Sequence, residues 1–165
     1  TNDALYTNTT LAINPDTGGP GRWRGGLALT REYEILAEAA ILNVRSDKRR
    51  YPPHGLFGGR DGTPSLNVVE RAATERVLPV LMTEVDKLKR GDVYRHVMSG
   101  GGGFGDPLER EPERVLQDVI EEKVTPEHAR IAYGVVIAPG PEGPRVDEAM
   151  TAACRRAMRA AAAAE

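Results

Sequence analysis

The chain is short of most residues on which reaction centres and membrane segments are built. A single cysteine, Cys154, among 165 residues excludes an intramolecular disulfide and a thiolate zinc cluster. The three histidines, His54, His96 and His128, show no H-x-H or H-E-x-x-H spacing and have no clustered carboxylates beside them, so no metal site is expected. No G-x-S-x-G elbow offers a serine nucleophile. No apolar run approaches the ~20 residues that span a bilayer, and the first residues are polar, unlike a signal peptide. The expectation is a soluble, cytoplasmic protein with no membrane partner. An excess of one charge is missing too. Lys plus Arg number 22 against 24 Asp plus Glu, a formal net charge of -2, so no global field draws in nucleic acid. An initiating methionine is also absent: the chain begins TNDALY, which suggests a processed product or a piece of something longer.

What is present is turn chemistry. Eighteen glycines and twelve prolines fall in discrete clusters between periodic segments. The length suits one domain with a sizeable core. Residues 1–10 are polar and lack a period, and "NPDTGGPGRWRGG" reads as a long loop with Trp23 as an anchor. Leu27, Leu29, Tyr33 and Ile35 then alternate with Ala28, Thr30, Glu32 and Glu34, the pattern of a strand with one buried face, on which Arg31 falls. "AAILNVRSD" reads as a second strand to about Arg45; shorter candidates run from Ser65 to Val69 and from Leu78 to Val85. "KLKRGDVYRHVMS" predicts a hairpin turning at Arg90-Gly91-Asp92 into a strand from Val93 to Met98.

After Gly100 the pattern turns helical. Pro112 suits a first helical position, with Val115, Leu116, Val119 and Ile120 along one face. Thr125-Pro126 predicts a cap and Gly134 a stop; a last helix from about Asp147 carries Val146, Ala149, Met150, Ala153, Cys154 and Ala157 on its apolar face. Strands first and helices last predict an α+β fold. An antiparallel sheet or sandwich over 1–104, with Gly/Pro-rich loops, carries a helical segment over 105–165 packed on it as one structural unit.

The run "GGGGFG" from Gly100 formally satisfies G-x-G-x-x-G, yet Asp106-Pro107 follows instead of a helix, no Lys-Ser/Thr makes a Walker loop, and the setting is not βαβ. A backbone-driven role is the better reading, with another chain or a substrate approaching closely. "RSDKRRYPPHGLFGG", from Arg45 to Gly59, leaves three readings open: a solvated loop, a nucleic-acid patch, or the wall of a small-molecule site. Asp47 within the basic run Arg45, Lys48, Arg49, Arg50, and Tyr51 as its only aromatic, count against nucleic acid. Arg31 and Arg45, at strand positions, would need a carboxylate such as Asp47 or Glu32, or a bound anion. His54 lies in a Gly/Pro loop of the kind that carries function. Cys154 reads as a packed thiol.

Four stretches, "DTGGPGRWRGGLALTREYE", "VRSDKRRYPPHGLFGGRDG", "LKRGDVYRHVMSGGGGFGDPLEREPERVLQDV" and "VTPEHARIAYGVVI", resemble the C-terminal part of the hydantoinase B family, the oxoprolinase B-type subunits. The resemblance implies a B-type subunit acting in ring-amide hydrolysis of hydantoins, 5-oxoproline or lactams. It also implies a partner A-type subunit that binds ATP and Mg and activates the substrate, with ketone carboxylation as a sister activity. Metal-holding His and Asp residues of some relatives belong to the N-terminal part of the family's chain. None of the positions here matches them, so metal binding is not carried over. The remainder of the B-type subunit and the A-type subunit are the implied partners. In such a family the loop from Arg45 to Gly59 and the loop from Gly100 to Gly105 are the most distinctive parts. They are expected to lie close in space and to form a wall of the substrate pocket or a docking surface. Arg45, Asp47, Arg49, His54, Gly58, Gly59, Gly101, Gly102 and Gly103 are the expected substrate-facing residues; no catalytic residue is assigned.

Overall fold

Alternating side chains build the sheet, and tight glycine turns decide how its strands are joined. The computed structural model describes residues 4–79 and 83–164. The strands are β1 (Tyr6–Ile13), β2 (Leu29–Ile35), β3 (Ala39–Val44), β4 (Leu66–Arg71), β5 (Thr74–Val77), β6 (Thr83–Lys89) and β7 (Val93–Val97). Then come α1 (Pro112–Ile120), α2 (Pro126–Tyr133), the strands β8 (Ile137–Gly140) and β9 (Gly143–Val146), and α3 (Glu148–Ala162). A five-stranded antiparallel sheet runs in the order β1-β2-β7-β4-β5. A separate ribbon, β3 with β6, packs on one of its faces through Ile35, Val69, Leu78, Val44 and Leu88. Each fully buried leucine in such a layer contributes about 1.5–3 kcal/mol of transfer free energy. The α+β class with an antiparallel sheet stands.

Several expectations are corrected. β1 was not anticipated, because it is an edge strand exposed at nearly every position and its register slips between Asn8 and Thr10, so no two-residue period survives. The run from Leu78 to Val85 is not one strand: β5 ends at Val77, β6 begins at Thr83, and 80–82 lie outside the described residues. The turn at Arg90-Gly91-Asp92 does not close a hairpin. β6 pairs with β3 while β7 pairs with β2 and β4, so the turn carries the chain from the ribbon into the sheet. Arg31 is exposed instead of buried and Ala28 is fully buried, because the ribbon covers the Ile35 end of β2 and leaves the Arg31 end open. Arg45 is exposed as well.

At the ribbon-to-sheet crossing, Asp92, only 4% exposed, accepts hydrogen bonds from Arg71 Nη2 at 2.7 Å and from the Lys89 N–H at 2.9 Å. The Arg71 contact, helped by the Lys89 N–H, holds its carboxyl below the usual carboxylate range.

The helical half follows its cap signals. Pro112 and Pro126 open α1 and α2; Thr125 Oγ1 accepts from the His128 N–H, Asp147 accepts from the Met150 N–H, and Gly134 stops α2 at φ 63°. Val115, Val124, Ala129, Ala132, Tyr133, Val135 and Val146 form a second core. The hairpin of β8 and β9 lies between the helices, so strands do not simply precede helices. Its four-residue arms hold prolines and glycines and give no strand period. Ile120 faces solvent, and α3 turns Thr151, Cys154, Arg155 and Met158 inward while Ala149, Met150, Ala153 and Ala157 stay exposed. Arg155 ties the helix to the rest of the chain, its guanidinium donating to the Tyr133 and Arg110 carbonyls at 3.0 and 2.6 Å, and Thr151 Oγ1 accepts from the Val136 N–H at 3.0 Å. Among the described residues no helix is long and apolar enough to cross a membrane.

The helical half is tied to the glycine loops by charge. Asp118, 6% exposed, accepts from Arg110 at 2.8 Å and from Arg24 Nε at 3.2 Å, and Asp16 accepts from the Thr125 N–H and Oγ1 at 2.7 Å.

Both ion pairs are open to test. Asp118→Ala leaves Arg24 and Arg110 unpaired and mostly buried, and is expected to cost about 3–5 kcal/mol in urea denaturation; a loss within experimental error would contradict the clamp. Asp92→Asn is expected to cost about 1–3 kcal/mol at pH 7. Because the folded carboxyl titrates below its unfolded value, its stabilising share is complete above about pH 4 and fades as pH falls through the lower folded value. Denaturation at pH 7 and pH 3 should therefore show the gap between wild type and Asp92→Asn narrowing on the acid side.

Candidate functional site

Loop residues 17–26, 53–63 and 99–105 are stitched together by main-chain hydrogen bonds. Gly19 N donates to Gly101 O at 2.8 Å and Gly101 N to Gly26 O at 2.8 Å. Trp23 and Phe104 exchange both of their bonds at 2.9 Å. On the other side Leu56 N donates to Gly103 O, and Gly105 N to Leu56 O, each at 2.9 Å. Gly103 N reaches Arg60 O at 2.9 Å, and Gly100 N reaches Thr63 O at 3.1 Å. The run from Gly100 to Gly105 is thus the middle layer of a backbone knot, and the two loops named from the sequence do meet. The body approaching the glycines is this chain itself: a Cβ at Gly102 would strike the His54 carbonyl, and one at Gly103 the Pro20 carbonyl. Because N–H groups of this run are donated internally, it does not fit the phosphate cradle of a nucleotide site.

Beside the knot lies a basin of about 430 Å³ lined by Arg45, Ser46, Asp47, Ser65, His96, Met98 and Ser99. Each side comes from a different element. Arg45 to Asp47 leave the end of β3, Ser65 precedes β4, and His96 to Ser99 run from β7 toward the glycines. The Ser65 hydroxyl donates to the Asp47 carbonyl and lies 3.4 Å from Ser46 Oγ. His96 Nδ1 stands 2.6 Å from Asn67 Oδ1, which also receives the Tyr94 hydroxyl at 2.7 Å. Asn67 is 1% exposed, so this acceptor is fixed. Burial, with the positive charge of Arg31 behind it, pushes the His96 imidazole below its ordinary value. Burial also lifts the Tyr94 phenol to about 12, so it remains a donor.

The expected site residues separate into groups. Arg45 and Asp47 line the basin. Arg49 turns away and donates to the Leu78 carbonyl at 2.5 Å, bracing the core. His54 is on the outer surface 3.3 Å from Asp61, whose carboxyl is held low by the Gly55 N–H first and by His54 second. Gly58, at φ 89°, shapes the loop tip, and Gly59, Gly101, Gly102 and Gly103 are inside the knot. His96, Ser65, Ser99 and Asn67 were not singled out from the sequence. Their meeting depends on strand register, in which His96 stands opposite both Arg31 and Asn67. Trp23, Leu56, Phe57 and Phe104 are exposed on the outside of the knot, with the two phenylalanine rings 5.0 Å apart. Among the described residues no group of three or more His, Cys, Asp or Glu side chains is gathered as a metal site.

The knot makes a paired prediction. Gly102→Ala or Gly103→Ala is expected to prevent the loops from closing, seen as lost cooperativity in thermal unfolding. Gly26→Ala, whose Cβ meets nothing within 4 Å, should change stability by no more than about 0.5 kcal/mol. Equal behaviour of the two classes would refute the close approach.

Comparison with known proteins places this geometry. Residues 6–107 match the family described as Hydantoinase B/oxoprolinase. The B-type chain of a putative D-/L-hydantoinase of Pseudomonas sp. (strain NS671) is 35% identical over 158 residues, covering 85% of this chain and 26% of that protein. The crystal structure of the ATP-dependent caprolactamase from Pseudomonas jessenii superposes with a TM-score of 0.75 at 30% identity, over 92% of this chain and 26% of that one. A nucleotide-free acetone carboxylase structure gives a TM-score of 0.81 at 24% identity over 98% of this chain, a likeness of fold. The chain spans about a quarter of the length of the curated relatives it matches. With the match running through β1 to β7 and the glycine knot, this chain belongs to the hydantoinase B/oxoprolinase family.

Proposed function

We propose that this chain acts as the C-terminal portion of a B-type subunit in an ATP-dependent cyclic amide hydrolase, and that the Arg45–His96 basin is one wall of its substrate pocket. Family membership supports the reaction class, as do the hydantoinase and caprolactamase names of its relatives. The observation that carries the pocket assignment is the convergence of Arg45, Asp47 and His96 in one basin against a rigid knot. The remainder of the B-type chain closes the basin, and a companion A-type subunit supplies activation by ATP and Mg.

A ring amide is held planar by resonance and resists water, so activation of its carbonyl must precede opening. This chain's part is to hold and orient the ring. The Arg45 guanidinium and the Ser46 and Ser99 hydroxyls donate to a carbonyl, and His96 is left to accept.

In the complete complex Arg45→Ala is expected to leave assembly intact and raise KM for the cyclic amide about tenfold or more, the loss of one charge-assisted hydrogen bond. If turnover falls only because the complex comes apart, the chain is an assembly module. The purified chain alone is expected to hydrolyse neither ATP nor a lactam, and measurable turnover would overturn the proposal. A second reading, a ketone carboxylase component, draws on the acetone carboxylase alpha subunit of Xanthobacter autotrophicus, 48% identical over 69 residues. Bicarbonate-dependent consumption of acetone without ring opening would favour it.

A further inference from the structure

We propose that His96 is a specificity residue of the basin: a neutral imidazole whose Nε2 lone pair accepts the N–H of a ring amide and selects secondary cyclic amides over N-substituted ones. This rests on the reading of the basin as the substrate wall.

The tautomer follows from the partner. Asn67 Oδ1 is an amide oxygen that can only accept, and it already receives the Tyr94 hydroxyl, so the 2.6 Å contact with His96 Nδ1 requires the proton on Nδ1. Nε2 then carries the lone pair. It is not among the buried polar atoms left without a partner, and His96 lines the basin. The ring cannot swing freely. It stacks on Tyr94 at 6.4 Å with 21° between planes, and Tyr94 stacks on Tyr33 at 6.0 Å. The charged groups around it are Arg31, opposite it on β2, and Arg45 and Asp47 at the far wall. Burial and Arg31 both disfavour the imidazolium, so the acceptor persists at neutral pH.

The other lining groups complete a pattern. Arg45 and the hydroxyls of Ser46 and Ser99 can donate, while Ser65 gives its proton to the Asp47 carbonyl; of the acceptors, the Asp47 carboxylate is exposed, and His96 Nε2 is the neutral one held in place by its ring contacts. A small ring forces its amide to be cis, placing N–H and C=O on the same edge, and such an edge can use the acceptor and a donor together. An acyclic trans amide turns the two groups to opposite sides. A ring N-methyl group removes the donor and leaves Nε2 without a partner, the situation in which a polar site discriminates most strongly.

The test uses the complete complex with three pairs of substrates: hydantoin with its 1,3-dimethyl form, and 5-oxoproline and caprolactam each with the ring N-methyl form, so that the second member of each pair keeps no ring N–H. For whichever ring is opened, kcat/KM is expected to favour the N–H form by about tenfold or more. His96→Ala should shrink that ratio to within about threefold by raising KM for the N–H form alone, the loss of one hydrogen bond. His96→Gln, which can still present an acceptor, should restore part of the preference. Long-range ¹H–¹⁵N correlation spectra of the complex, with this chain labelled, should show His96 protonated at Nδ1 and not at Nε2 at pH 7. Equal loss for N–H and N-methyl substrates, or an Nε2–H tautomer, overturns the role of His96 and leaves the proposed function standing. A wild-type complex that opens none of these rings overturns the proposed function, and the role of His96 falls with it.

Discussion

Main chain packed directly against main chain is the constraint on which the rest of this structure depends. Loop residues 17–26 and 53–63 clasp the run from Gly100 to Gly105 mostly through main chain, and at Gly100, Gly102 and Gly103 carbonyls stand where a Cβ would go. Such a layer satisfies its own polar groups, so it can be interior without β-ladders or helices. It also fixes the end of β7 relative to the start of β2 and of β4, because each strand runs into or out of the knot. The basin inherits that rigidity. Its walls are strand ends whose other neighbours are already tied down.

The helical half is joined to the knot chiefly by polar contacts, with the Arg114 guanidinium lying over the Trp23 ring beside them. Asp118 gathers Arg24 from the first glycine loop and Arg110 from the turn before α1, and Asp16 caps Thr125 from a distance of over a hundred residues. The two apolar clusters share no residue: one lies between sheet and ribbon, the other among the helices and the β8–β9 hairpin. Buried ion pairs are a costly way to join two bodies, since both partners lose water. They do fix orientation, because Arg24 meets both Asp118 oxygens, at 3.2 and 3.3 Å.

Legibility in the sequence followed whether the determining chemistry was local. Thr125, Pro126, Gly134 and Asp147 announce helix ends through their own side chains or dihedrals, and each sits at the end it announced. β2 shows in the alternation of its residue types and β3 in its β-branched residues, although burial alternates along β3 and not along β2, where the ribbon covers only the Ile35 end. β1 could not show: it has no covering layer, and its register slip breaks what alternation it has. The Arg90-Gly91-Asp92 turn looks like a hairpin because a turn's residues specify its tightness and not the strands it joins. The strands on either side pair with partners far away in sequence, β6 with β3 and β7 with β2 and β4, and Asp92 in the turn is held by Arg71, about twenty residues earlier. The glycine run was legible as a place of close approach, while the identity of the approaching body was not, since it comes from loops some forty and eighty residues away.

His96 illustrates the same limit at the site. In sequence it is one of three unclustered histidines, and nothing beside it signals a role. Register places Arg31 on one side and Asn67 on the other, and the aromatic row of Tyr33 and Tyr94 fixes the ring between them. A half-buried imidazole between a cation and an amide oxygen has its proton position and its charge set by neighbours about thirty and sixty residues away. Arg45 and Asp47 were accessible to sequence reasoning because they stand in a dense polar run, but that run also contains Arg49, which turns inward to hold a core carbonyl. Local density marks where polar chemistry concentrates; only the strand order and the knot decide which of those groups face the same space.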